Sequence, residues 1–204
     1  MPYIKVAEHL GIPPTATNSA GIMWNFQPRS GVSDITNPDN VRCPLSFTGT
    51  PDEDWFYAVS VAIEARGAAI IPAMLDCTQA VARKDDSTIV QHLQLFRTVV
   101  QELIVLLQRM NEKCQPSVFY DQIRPFLAGG KGMADSGLPR GIFYDEGDGA
   151  GSWRQYSGAS NGQSALVQFL DVALGVRHGP QSSSADNYLI VPLPGSSQGK
   201  RKTS

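Results

Sequence analysis

Between Asp86 and Glu112, the residues Ile89, Leu93, Phe96, Val100, Leu103, Leu107 and Met110 recur at alternating steps of four and three. That spacing places them on one face of an α-helix. Val99, Ile104, Val105 and Leu106 widen the face beyond a coiled-coil seam, so the helix is expected to be covered on more than one side. His92 lies at the edge of this face and reads as a boundary residue rather than a metal ligand.

Upstream, the stretch TPDED (50–54) carries a helix-start signal. Thr50 or Asp52 can cap, Pro51 suits the first turn, and acids favour the positive end of the helix dipole. The helix is expected to run to about residue 83 with a kink at Pro72. Residues 1–11 read as a short amphipathic helix ended by Gly11, and 15–27 as a further helical piece. Residues 28–51, rich in Pro, Gly, Asn, Asp and Ser, read as a long loop. A helix around Phe119–Leu127 stops at Gly129-Gly130, and 131–156 read as an irregular Gly-rich connection. The last helix spans 160–176, with Ser160 or Asn161 as its cap. No strand pattern and no repeat emerges, so the fold class is all-α. Residues 1–180 form one helical domain and 181–204 a low-complexity tail interrupted by NYLIVPLP (187–194).

Composition narrows the function classes. The chain has 204 residues, 42% hydrophobic and 18% charged, which is globular. Its net charge of −2 gives no electrostatic reason to expect nucleic acid or an anionic membrane as partner. Lys200-Arg201-Lys202 reads as a solvated tail. The N-terminus has no signal-peptide pattern, and the apolar run Ala68–Leu75 is broken by Pro72 and too short to span a bilayer. Cys43, Cys77 and Cys114 are odd in number and far apart, which suits free thiols in a reducing, cytoplasmic setting. Cys43-Pro44 raises the idea of a thiolate haem ligand; a plain loop cysteine is the simpler reading.

Three stretches invite chemistry. AGGKG (128–132) lacks the earlier glycine of a phosphate loop and has no Ser or Thr after Lys131. His9, His92 and His178 are the only histidines, and none has the local partners of a catalytic triad or metal-ligand spacing. In YSGASNGQS (156–164), small residues permit close approach of a flat group, and a helix start offers N–H groups to an anion. An ordinary capped helix start explains the same residues.

Tyr120 and Arg124 stand at i and i+4 on one helical face, with Phe119 one position round. A guanidinium grips a carboxylate through two parallel hydrogen bonds, while an aromatic wall packs an apolar ring. An aromatic amino acid satisfies both. Pairing of Arg124 with an acid such as Asp121, or extension of its tip into water, is the alternative.

Taken together, PYIKVAEHLGIPP, DWFYAVSVAIEARGAAIIP, FYDQIRPFLAGGKG, YSGASNGQS and FLDVALGV occur in the order found in the indoleamine 2,3-dioxygenase family. The chain resembles that family over most of residues 2–178, most closely its fungal members. The resemblance implies a helical haem-dioxygenase-like large domain that uses haem b and O₂ to open the indole ring of L-tryptophan, giving N-formylkynurenine in tryptophan catabolism. Carried over, Arg124 would hold the substrate carboxylate, with Phe119 and Tyr120 flanking the indole. Phe56 and Ser60 would line the distal side of the haem. Ser160, Asn161 and Gly162 would form the loop near the haem edge and substrate ammonium. Asn18 stands where many members place an aromatic residue.

The resemblance also carries an expectation of departure. Family members continue after the FLDVALGV segment into helices bearing the proximal haem histidine, whereas this chain passes through His178-Gly179-Pro180 into a serine-rich tail. The small N-terminal domain and the segment with that histidine are expected to be missing, leaving an incomplete domain with no metal ligand other than His178 as a substitute. Weak or no catalysis, and self-association through uncovered apolar faces, would follow. The alternative is a catalytically inactive haem- or indole-binding or regulatory remnant.

Overall fold

The structure, a computed structural model, describes residues 2–12, 14–131 and 133–177. His178 and the tail, including NYLIVPLP, lie outside the described residues. The fold is mainly helical, as its sequence pattern implies.

Helix α1 (Pro2–Leu10) ends at Gly11, whose φ of +66° is the left-handed conformation that stops a helix. A single π-helical turn, Ser19–Met23, follows. Strands β1 (Gln27–Pro28) and β2 (Val41–Arg42) pair antiparallel and close the long loop on itself.

Helix α2 (Pro51–Gly67) is the hub. Thr50 caps it, its Oγ1 accepting the Glu53 N–H at 3.3 Å. Trp55, Tyr57, Ala58, Val59, Val61 and Ala62 are all buried, so α2 is covered on every side and shows no amphipathic stripe. The neighbouring helix α3 (Ile70–Arg83) is separated from α2 by a break at 68–69, one turn earlier than the kink expected at Pro72. The reason is steric. A proline ring collides with the carbonyl four residues before it, here Ala68, and cannot donate to it. Gly67 permits a close crossing, because a β-carbon there would overlap the Leu166 side chain.

Helix α4 (Asp86–Gln108) packs against α3 and α2 and leads into α5 (Met110–Lys113). Val99 and Leu103 are buried with Ile70 and Leu166. Val90, Leu93, Ile104, Val105 and Leu107 remain exposed, so the widened face is covered only in part. His92 bonds Asp76 of α3 through Nε2 at 2.9 Å, the boundary role its position implies.

Residues 116–127 form one helical run: α6 (Pro116–Val118), a π-helical turn at Phe119–Ile123, and α7 (Arg124–Leu127). Pro125 explains the wide turn. It cannot donate to Asp121, and its ring pushes that carbonyl away, so the Arg124 N–H reaches back five residues to Phe119 O.

Within 131–156, read above as irregular, the structure holds a β-hairpin. Strands β3 (Ile142–Gly147) and β4 (Ala150–Arg154) pair antiparallel around the two-residue turn Asp148-Gly149, both with positive φ (+52° and +78°). An Asp-Gly flanked by apolar residues is the strongest short-range hairpin signal, and here dense glycine hid it. Phe143 and Trp153 pair across the strands at 5.4 Å, and the Tyr144 hydroxyl donates to the Pro14 carbonyl at 2.7 Å. The final helix, α8 (Ala165–Leu174), is also shorter than read. Its cap is Ser164, accepting the Val167 N–H at 3.2 Å, while Ser160 caps only the 3-10 turn Asn161–Gln163 before it.

Candidate functional site

The acids that open α2 do more than complement its dipole. Asp52 accepts the Gln115 N–H at 2.8 Å and so fixes the start of α6. Asp54 accepts the Cys43 N–H at 2.7 Å. Glu53 is fully buried; it accepts the amides of Phe47 and Thr48 at 2.8 and 2.7 Å and the Thr48 hydroxyl at 2.6 Å. Burial opposes its ionisation, but those bonds and one from the Tyr57 hydroxyl outweigh it and hold the carboxyl below the usual glutamate range. Asn25 fastens the other end of the same loop, donating to Leu45 O at 2.8 Å and accepting its N–H at 2.9 Å. Residues 45–48 are thereby a rigid rim.

That rim borders a cavity of about 620 Å³. Ala16 to Asn25 form one wall and the loop Gly158–Asn161 faces them. Phe56 and Phe119 pack at 4.8 Å between ring centroids and provide an aromatic side. Arg124 also lines the cavity; its side chain is exposed, its guanidinium stands 5.2 Å from the Tyr120 ring, and it makes no ion pair among the described residues. Asp121, one turn earlier, does not neutralise it.

Phe56, Phe119, Arg124, Ser160 and Asn161 therefore surround one cavity, although they come from three distant parts of the chain. Ser60, Tyr120 and Gly162 do not line it. The Ser60 hydroxyl is buried and donates to Phe56 O at 2.9 Å. Tyr120 is 64% exposed, with its ring under Arg124 rather than in the cavity. Gly162 sits in the turn behind, its N–H donating to Ser160 Oγ at 3.2 Å. Asn25, Leu45, Phe47, Tyr57 and Leu127 line the cavity without having been singled out; only the isolated polarity of Asn25 within IMWNF hinted at a role.

The small residues of SGAS serve the chain itself. A β-carbon at Gly158 would overlap the Leu127 carbonyl, and the Gly158 N–H donates to Ala128 O at 3.1 Å. Gly158→Ala is expected to push the loop off α7 and cost about 1–3 kcal/mol, the range for overpacking, read by chemical denaturation. A stability equal to the unaltered chain would show that the loop moves freely there.

Cys43 does not line the cavity. Burial, with Asp54 and Glu53 nearby, pushes its thiol up to about 12, so it stays protonated at neutral pH. Among the described residues the histidines are His9 and His92, neither on the cavity, and no cluster of three His, Cys, Asp or Glu could hold a metal. The cavity thus has an aromatic side, with the Phe56 and Phe119 rings tilted 42° to one another, and no histidine among its described lining residues.

These features define a mainly helical domain with an aromatic-walled cavity and a guanidinium at its rim. The profile of the indoleamine 2,3-dioxygenase family matches residues 1–201, and the chain belongs to that family. It is 43% identical over 182 residues to an indoleamine 2,3-dioxygenase of Aspergillus candidus, covering 87% of this chain and 45% of the relative. It is 38% identical over 203 residues to the indoleamine 2,3-dioxygenase of Saccharomyces cerevisiae, covering 92% and 44%. It is 32% identical over 195 residues to a 6-hydroxytryptophan 2,3-dioxygenase of Fusarium equiseti, covering 95% and 47%. The chain spans just under half the length of these relatives.

Proposed function

We propose that this chain forms the substrate-binding side of a haem-dependent dioxygenase that opens the indole ring of L-tryptophan, or of a related indole, with O₂. The observation that carries the reading is Arg124, without a carboxylate partner among the described residues, at the edge of a cavity walled by Phe56 and Phe119. The guanidinium suits the substrate carboxylate and the aromatic side suits the indole. Haem, when bound, would supply the oxygen chemistry. The roles proposed for the described residues are to bind and orient the substrate and to exclude water. The three free thiols fit a cytoplasmic setting.

Titration with L-tryptophan and with tryptamine, which lacks the carboxylate, tests the reading. Tryptophan is expected to bind more tightly, and equal affinities would overturn it. A second reading is an indole-binding module without catalysis, since no histidine lines the cavity among the described residues. A haem titration separates the two: a saturable one-to-one spectrum of histidine-ligated haem supports the dioxygenase, and its absence supports the module.

A further inference from the structure

Gln163 lies behind the cavity rather than on it, yet it touches both of the facing walls. Its Oε1 accepts the Asn18 N–H at 2.9 Å, and its Nε2 donates to the Gly158 carbonyl at 3.1 Å. Only this orientation of the carboxamide satisfies both neighbours, because one is a donor and the other an acceptor. Asn18 is itself buried, 4% exposed, and its Nδ2 donates to Asn161 Oδ1 at 3.2 Å. The Gly162 carbonyl is held from behind by Gln168 Nε2 at 3.1 Å.

The two Asn18 bonds, to Gln163 and to Asn161, join segments 145 and 143 residues apart in the chain. Elsewhere both walls rest on one core, since Leu127 of α7 packs on the cluster that holds Ile22, Tyr57 and Ala58. The Asn18 wall packs through Ile22 on Tyr57 and Ala58 of α2, and the Gly158 loop is bonded to Ala128 beyond α7. Across the gap itself run the Asn18–Asn161 and Asn18–Gln163 bonds. Of these, the Gln163 carboxamide has one end on each wall, and its length is set by covalent geometry.

We infer that Gln163 is a positioning residue whose side chain sets the spacing of the two cavity walls, and through it the fit of the aromatic ring. The inference rests on the indole reading only for the identity of the ligand; the spacing role stands on the bonds alone. Indole, the bare ring, is the suitable probe because it cannot use Arg124 as a carboxylate clamp.

Gln163→Met keeps the length and removes both bonds. It is expected to raise hydrogen exchange at 16–21 and at 158–162 together, and to weaken indole binding by about 3- to 10-fold, the effect of losing one neutral hydrogen bond or slightly more. Gln163→Glu keeps the acceptor for Asn18 and removes the donor to Gly158. The Asn18 amide should then stay protected while 158–162 exchange faster. Faster exchange at only one wall in Gln163→Met, or unchanged indole affinity despite faster exchange at both, would overturn the inference. So would a lower melting temperature with neither effect. Exchange decides the latch whether or not indole binds, so failure of the tryptophan reading is separable from failure of this one.

Discussion

Glu53→Ala is expected to lower stability by about 1–3 kcal/mol, because it removes the buried acceptor of the half-buried Phe47 and Thr48 amide bonds. The carboxylate accepts from the Phe47 and Thr48 amides and the Thr48 hydroxyl, in a site where Glu53 itself has no exposure. The loss should reach the cavity, since Phe47 lines it and stacks on Phe126 at 5.5 Å. Glu53→Gln isolates the charge. A carboxamide presents its own donors to a site built from donors, so this variant should be less stable at neutral pH as well. The pH dependence has a definite sign. The folded-state carboxyl titrates below its ordinary value of 4.5, so its ionised form stabilises the fold. That contribution is complete above about pH 4.5 and is lost as the pH falls through the lower, folded-state value. The gap between the natural chain and Glu53→Gln should therefore narrow as the pH falls from about 4.5 through the folded-state value, below which both side chains are neutral. Denaturation midpoints from pH 3 to 7 would show this. A constant gap would mean that the shape of the side chain matters there and its charge does not.

Arg124→Ala should affect ligand binding and leave stability almost untouched. The side chain is exposed and unpaired among the described residues, so its loss should change stability by no more than about 0.5 kcal/mol. Affinity for L-tryptophan should fall roughly 10- to 150-fold, corresponding to about 1.5–3 kcal/mol for a hydrogen bond to a charged group. Tryptamine affinity should not change. Arg124→Lys should recover part of the loss, since an ammonium attracts the carboxylate but cannot grip it with two parallel bonds. Calorimetry with both ligands reads the result. If tryptophan and tryptamine weakened together, Arg124 would be shaping the cavity through its stack on Tyr120 rather than holding a carboxylate.

Much of the helical order was legible because it is local. The four-three spacing from Ile89 to Met110 and the Thr50-Pro51 start are short-range codes, and the chain obeys them. Three readings missed for reasons that are also physical. The α2–α3 break sits at 68–69, where the carbonyl displaced by Pro72 lies. The hairpin at 142–154 escaped because glycines broke the alternation that reveals a strand. The wide turn before Arg124 needed an argument about Pro125 and the carbonyl of Asp121.

The site divides in the same way. Arg124 and Phe119 declared themselves by residue type and spacing, and the family by the order of its segments. That Phe56, Phe119, Arg124, Ser160 and Asn161 share a cavity, while Ser60 and Tyr120 do not line it, depends on how the helices rotate against one another. The acids Asp52, Glu53 and Asp54 are the sharpest case. Along the chain they are dipole partners of one helix start, whereas in space each receives a different segment: Gln115, Phe47 with Thr48, and Cys43. The sequence by itself determined most of the helices, the Thr50 cap and the family, because those follow from neighbours within a few residues. Only the tertiary structure decided which polar groups meet across the chain, since a hydrogen bond between Asn18 and Gln163 leaves no periodic trace in the residues between them.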